Sequence, residues 1–328
     1  MVDLGKLTGL TAWLDARAEI EDAVKRAMVP HTTPTVDPQI TIIDEQTRPG
    51  YIRKRINYFV SDWERVTAWV FEPDGASDCP ALVCCHHETP YAKDAAAGLE
   101  GDRSLALALH FAQRGYVTIA PDAITAGERV SSNREPYDAT SFYKEHRKTS
   151  LLGKMLADHK QALNVLEDNR AVDPERLGVA GHGLGGTSAL LLTAFDDRVQ
   201  LCIASCAFTR FDGDPDPTRW CSADPGFSGL KGLNLAPQLA PILSNGSLPF
   251  DWEHICALAA PNPTLILAGD CDETLPHANS CERATKAAQP VYEMLNASEA
   301  LSCHVHAEGR SLPREMLDIA DQWLDRWL

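Results

Sequence analysis

Arg176-Leu177-Gly178-Val179-Ala180-Gly181-His182-Gly183-Leu184-Gly185-Gly186 is the stretch that decides how this chain folds. A short apolar run, Leu177 to Ala180, enters a cluster of glycines and continues into the helical pattern of 185–195. A buried strand that turns abruptly into a helix is the setting of the G-x-S-x-G elbow, which raises a nucleophilic serine above a sheet. The tip of the turn here is Gly183, which offers neither hydroxyl nor thiol.

Outward from this turn, short apolar runs alternate with amphipathic segments, the pattern of a mostly parallel, doubly wound sheet. Strands are expected at 81–86, 116–121, 176–180, 199–205, 264–268 and 301–306, and helices at 104–114, 151–167, 185–195, 279–296 and 313–327. Two β-rich runs, 51–60 and 65–71, come earlier; the second alternates Val66, Ala68 and Val70, and together they read as an antiparallel opening. The total is a sheet of about eight strands with helices on both faces, the estimate resting on period-2 and period-3.6 patterning. Residues 11–28 carry a helical stripe through Trp13, Leu14, Ala18, Ile20, Ala23, Val24 and Met28 that must end before Pro30. The expected organisation is therefore an N-terminal helix and linker over 1–50 and one α/β domain over 51–328. Within that domain, 209–248 loses all period. A long irregular segment that follows a strand at the ligand-binding end of such a sheet reads as a loop or small lid, with a surface excursion as the alternative.

The formal net charge is -16 and the pI is near 5.1. Nucleic acid and anionic membranes both need concentrated Lys and Arg, so neither is an expected partner; a small-molecule ligand is, and homo-oligomerisation stays open. Residues 1–28 mix Asp15, Glu19, Glu21 and Asp22 with Lys25 and Arg26, unlike a signal peptide, and no apolar run approaches the roughly 20 residues of a membrane span. A cytoplasmic protein is expected. The ten cysteines are scattered, without C-x-x-C spacing, and read as reduced and mostly buried. Cys84-Cys85-His86-His87 invites a metal, but neighbours on a strand point to opposite faces, so no metal and no cofactor is expected.

From about Gly50 onward the chain resembles the α/β-hydrolase superfamily, and within it the dienelactone-hydrolase-like and acetyl-esterase-like branch. Leu82-Val83-Cys84-Cys85-His86-His87 is similar to the strand and turn that form an oxyanion hole, and Ala120-Pro121-Asp122 with Gly127-Glu128-Arg129 to the next strand and its loop. Val172-Asp173-Pro174-Glu175-Arg176 is similar to the run preceding the elbow. The resemblance implies an α/β-hydrolase fold with a catalytic acid on Gly269-Asp270-Cys271-Asp272-Glu273-Thr274-Leu275-Pro276, best matched by Asp272. It also implies a histidine in the turn Gly309-Arg310-Ser311-Leu312-Pro313, where Arg310 stands instead.

By this reading the nucleophile and base positions hold Gly183 and Arg310. A triad needs a hydroxyl or thiol, an imidazole to take its proton, and a carboxylate to orient the imidazole; a guanidinium that stays protonated is no base at neutral pH. An engineered serine-to-glycine change accounts for Gly183 but leaves Arg310 unexplained, and a different register of the last turn makes His304 or His306 the base. Gly183, Asp272, Arg310 and His87 are the candidate catalytic positions. His86, His87, Leu184, Tyr91 and His182 are candidate ligand contacts, although His86 and His182 read more readily as structural residues beneath the two turns, His87 reads equally either way, and Tyr91, Glu88 and Glu128 are secondary loop candidates. The leading expectation is a repurposed, non-hydrolytic small-molecule enzyme (a lyase, cyclase, decarboxylase or isomerase) that keeps anion-stabilising donors. The alternatives are a silent hydrolase-fold protein that binds a ligand or partner, and an esterase or C–C hydrolase using other residues. An anionic group is expected between Arg310 and the helix N-terminus at Leu184.

Overall fold

The computed structural model describes residues 1–30, 36–246, 248–275 and 278–328. The described strands are β1 Thr41–Arg48, β2 Tyr51–Phe59, β3 Arg65–Pro73, β4 Cys79–Cys85, β5 Val117–Pro121, β6 Val172–His182, β7 Val199–Ser205, β8 Thr264–Gly269 and β9 Leu301–His306. They form one sheet in the order β1-β2-β3-β5-β4-β6-β7-β8-β9. Pairing is antiparallel from β1 through β3 to β5 and parallel from there to β9. This is the mostly parallel sheet that the patterning predicts, in the α/β-hydrolase fold that the resemblance implies.

Nine strands rather than about eight are present because β1 lies inside the segment expected to be linker. Its residues are exposed on both faces almost throughout, so burial imposed no alternation that a sequence pattern could reveal. The helix Leu10–Ala27 is likewise part of the body, with Trp13, Ile20 and Val24 in the core that also holds Val83 and Val179.

Alternation within the central strands sorts the two layers. Val83 and Val179 face the core that includes the helices Leu151–Glu167 and Leu184–Phe195, while Leu82, Cys84 and Ala180 face a second core with Phe111, Leu317 and Leu324. Each fully buried Leu or Phe removes apolar area from water worth about 1.5–3 kcal/mol, so the sheet is clamped from both sides.

Register decides where the chemistry can sit. Cys85 pairs with Gly181 and His182 with Ser205, and Gly269 pairs with His306, so the carboxyl ends of β4, β6, β7, β8 and β9 open onto one edge. The 209–248 segment folds over that edge. It holds two short 3-10 turns, Pro217–Trp220 and Phe227–Gly229, and the helix Leu239–Ser244, with Ser247 outside the described residues. Trp220 packs on Phe227 and Trp252 at centroid distances of 4.9 and 5.1 Å, which ties the segment to the helix Trp252–Leu258.

Candidate functional site

At the tip between β6 and the helix Leu184–Phe195, Gly183 has φ 58° and ψ -125°, a conformation L side chains rarely adopt. Its N–H donates to the Ser205 carbonyl at 2.8 Å, fixing the tip over β7. Close approach explains a second glycine: a Cβ on Gly185 would stand 2.1 Å from the Cys85 carbonyl oxygen, so the helix can begin hard against β4 only without a side chain there.

Where a side chain of residue 183 would project, the space is taken. A Cβ there would lie 2.7 Å from both Glu88 Oε2 and Arg310 Nη2. Glu88 Oε2 accepts the Leu184 N–H at 2.8 Å, the backbone donor that an elbow of this kind aims at a developing oxyanion. Glu88 Oε1 accepts from Arg310 Nη2 and from the Ser228 hydroxyl, which comes from the 209–248 segment. On the far side, Arg310 Nη1 donates to Asp272 Oδ2 at 2.9 Å, and Asp272 Oδ1 accepts the Thr274 and Leu275 N–H groups at 2.8 and 2.9 Å. The result is a buried chain Asp272–Arg310–Glu88–Leu184 N–H, with the carboxylate side chains only 2% and 5% exposed.

Electrostatics locks this chain in its charged form. Burial alone would raise the Glu88 carboxyl, but the Arg310 guanidinium, the Ser228 hydroxyl and the Leu184 amide outweigh it and pull the pKa down to about 2. Arg310, penalised by burial, is held protonated above its ordinary value by Glu88 and Asp272. A carboxylate held this firmly ionised is a weak proton acceptor near neutral pH.

The histidines divide into supports and neighbours. His86 is buried; its Nε2 accepts the Ala123 N–H at 3.0 Å, so its Nδ1–H is the donor to the His87 carbonyl at 2.8 Å. His182 is buried under the tip with Nδ1 2.9 Å from Ser205 Oγ. Burial first, and then the Arg310 charge, drive its pKa well below the ordinary value. The ring of His87 meets that of His182 edge-on at 5.9 Å, and burial lowers its pKa to about 4, leaving it neutral beside the chain. His306 Nδ1 accepts the Glu308 N–H at 3.3 Å, which places its proton on Nε2; that atom is buried without a partner among the described residues. His304 Nε2 lies 3.1 Å from Ser302 Oγ along β9. None of these histidines is hydrogen-bonded to Asp272.

Gly183, Leu184, Asp272 and Arg310 are therefore brought together, with His87 alongside. His86 and His182 lie beneath the turns they hold. Tyr91 goes elsewhere: it is 46% exposed and lines a separate cleft with Arg55, Trp69, Lys93 and Glu128. Glu128 is bound there by Lys93 at 2.7 Å and Arg55 at 2.8 Å. Glu88 is the residue that the sequence undervalues, although an acid directly after the His86-His87 turn was the available signal; Ser228 carried no signal at all. Pro276, the end of the acid-bearing loop, lies outside the described residues. All ten cysteines are free, and no group of three His, Cys, Asp or Glu side chains among the described residues could hold a metal ion. No described helix is long and apolar enough to cross a membrane.

Residues 66–207 match the dienelactone hydrolase family. YtaP of Bacillus subtilis (strain 168), provisionally named a hydrolase, is 25% identical over 272 residues, covering 81% of this chain and 84% of that protein. Among solved structures, a glucuronoyl esterase from Solibacter usitatus superposes with a TM-score of 0.75 at 14% identity, covering 97% of this chain and 94% of the other. A carbohydrate esterase family 15 glucuronoyl esterase from Caldicellulosiruptor kristjansonii gives a TM-score of 0.70 at 18% identity, over 97% and 86% of the two chains. At such identities these two likenesses speak for the fold.

Proposed function

We propose that this chain, which has an α/β-hydrolase fold and matches the dienelactone hydrolase family over residues 66–207, has left serine hydrolysis and acts on a small molecule without a covalent acyl intermediate. The observation that carries this reading is the Glu88 carboxylate, which lies at the elbow tip between Arg310 and the Leu184 N–H. In the notation of a triad, Gly183 stands for the nucleophile and Arg310 for the base, and neither can do that work. The surroundings remain those of an anion site, because a guanidinium and a helix N-terminal amide converge on a carboxylate. Its present occupant is the protein's own side chain. A ligand offering a carboxylate or enolate oxygen to Arg310 and Leu184 takes the place of Glu88, and lyase, cyclase, decarboxylase or isomerase chemistry is the class such donors assist.

A second reading, a hydrolase-fold protein that binds without turnover, is favoured by the same contact, since Glu88 uses both donors. Incubation of the purified protein with a small-molecule extract, followed by mass spectrometry, separates the two. A depleted compound with a new product of equal elemental composition, or of that composition less CO2 or water, supports the enzyme. Depletion with recovery of the unchanged compound on denaturation supports the binder. Products that have gained water, formed at rates matching an ester hydrolase, contradict both.

A further inference from the structure

Two strands away from the elbow, beyond β5, a cleft of about 550 Å³ opens between the turn joining β2 to β3 and the 122–149 region. Such a volume suits a small ligand. Its rim carries Trp63, 84% exposed, and Phe142 with the His146 ring tilted against it at 4.9 Å. Its floor is a closed ring of ion pairs. Arg129 pairs with Glu64 and, at 2.7 Å, with Asp158, while Lys154 pairs with Glu64 at 2.7 Å and with Asp158. The two cations of that ring match its two carboxylates, and the other charged groups that line the cleft are Arg65, Glu128 and Glu145, so the floor itself presents no surplus charge.

Thr125 lines this cleft and is abnormal in two independent respects. Its backbone sits at φ 66°, a region that a β-branched residue adopts only under constraint, and it is held there by the Tyr137 N–H donating to the Thr125 carbonyl at 2.7 Å. Its hydroxyl, on a residue only 4% exposed, has no hydrogen-bond partner among the described residues. Strained residues persist where surrounding structure over-determines them, and such places are often ligand clamps; a buried polar atom without a partner in turn calls for an explanation.

We propose that this cleft is a binding site for a neutral polyhydroxylated ligand with an apolar C–H face, a pyranose sugar or short oligosaccharide. The exposed Trp63 ring is the platform for the C–H face, the Thr125 hydroxyl is a partner for a ligand hydroxyl, and the charge-balanced floor selects against an ionic ligand. The site does not depend on the reading of the elbow, and neither outcome below bears on Glu88 or Arg310.

The experiment is calorimetric titration of the full chain with cellotetraose, maltotetraose, xylotetraose and, as the charged arm, glucuronate, each to millimolar concentration. Saturable binding of at least one neutral sugar is expected. Thr125→Val keeps the β-branched shape and removes only the hydroxyl; it should weaken binding about fivefold, the worth of one hydrogen bond. Trp63→Ala, at an exposed position, should weaken it by at least as much, with unchanged circular dichroism and melting temperature showing that the variant is folded. Absence of saturable binding to every neutral sugar, binding to glucuronate alone, or binding that both variants leave unchanged would each overturn the proposal.

Discussion

Two buried ionic clusters lie at the same end of the sheet, and they are built on opposite principles. In the ring of Glu64, Arg129, Asp158 and Lys154, two cations meet two carboxylates side chain to side chain, and nothing else is needed to balance it. At the elbow, two carboxylates, Glu88 and Asp272, share the single guanidinium of Arg310, and the surplus negative charge is carried by backbone amides of Leu184, Thr274 and Leu275 and the Ser228 hydroxyl. The ring is a closed structural device. At the elbow the donors of Arg310 and Leu184 are taken up by a protein side chain, Glu88.

The largest test of that contrast is removal of the central arginine from each. Arg310→Met leaves two buried carboxylates with no cation, whereas Arg129→Met leaves Lys154 still between Glu64 and Asp158. Breaking a buried pair costs about 3–5 kcal/mol. Chemical denaturation should place Arg310→Met in that range and Arg129→Met below it; the reverse order would show that the backbone donors at the elbow compensate better than a second cation does.

Next in size is Gly183→Ser. The new Cβ must push Glu88 or Arg310 aside, and a side chain is strained at φ 58°, so a loss of about 1–3 kcal/mol is expected. Short-chain ester turnover should remain at background, because among the described residues no imidazole is hydrogen-bonded to Asp272. Robust turnover in the single variant would mean that His87 or His306 reorients to serve as base.

The elbow is legible in the sequence because glycines are forced there by close backbone approach, and the strand–turn–helix period around it is regular. Asp272 and Arg310 are legible as members of two turns at the ends of β8 and β9. Glu88 is legible only as an acid after the His86-His87 turn, since whether a loop carboxylate points into the tip or out to solvent depends on the Leu184 amide, Arg310 and Ser228 arriving from three distant parts of the chain. β1 is illegible for the opposite reason: exposed on both faces, it lacks the alternation that burial imposes on β3.

Acid titration sharpens the comparison further. His87 is neutral in the fold, its pKa lowered from 6.5 to about 4 by burial, so the unfolded chain binds the proton first and stability falls as pH drops from 6.5 towards 4. Glu88 behaves as a depressed carboxyl: its contribution is complete above its ordinary pKa of 4.5 and is lost as pH falls towards about 2. His87→Gln should flatten the first window and Glu88→Gln the second, as read from melting temperature against pH. A Glu88→Gln profile identical to wild type below pH 4.5 would contradict the ion chain. At neutral pH the same variant should cost about 1.5–3 kcal/mol, the usual worth of a hydrogen bond to a charged group.

The central claim, that the elbow of this hydrolase fold holds an internal ion chain in place of a working nucleophile, is tested most directly by incubating the wild-type protein with a fluorophosphonate probe while following turnover of an activated short-chain ester. The account predicts no stoichiometric labelling and no turnover above the uncatalysed rate. Labelling of one serine per chain, with ester hydrolysis lost in parallel, would contradict it.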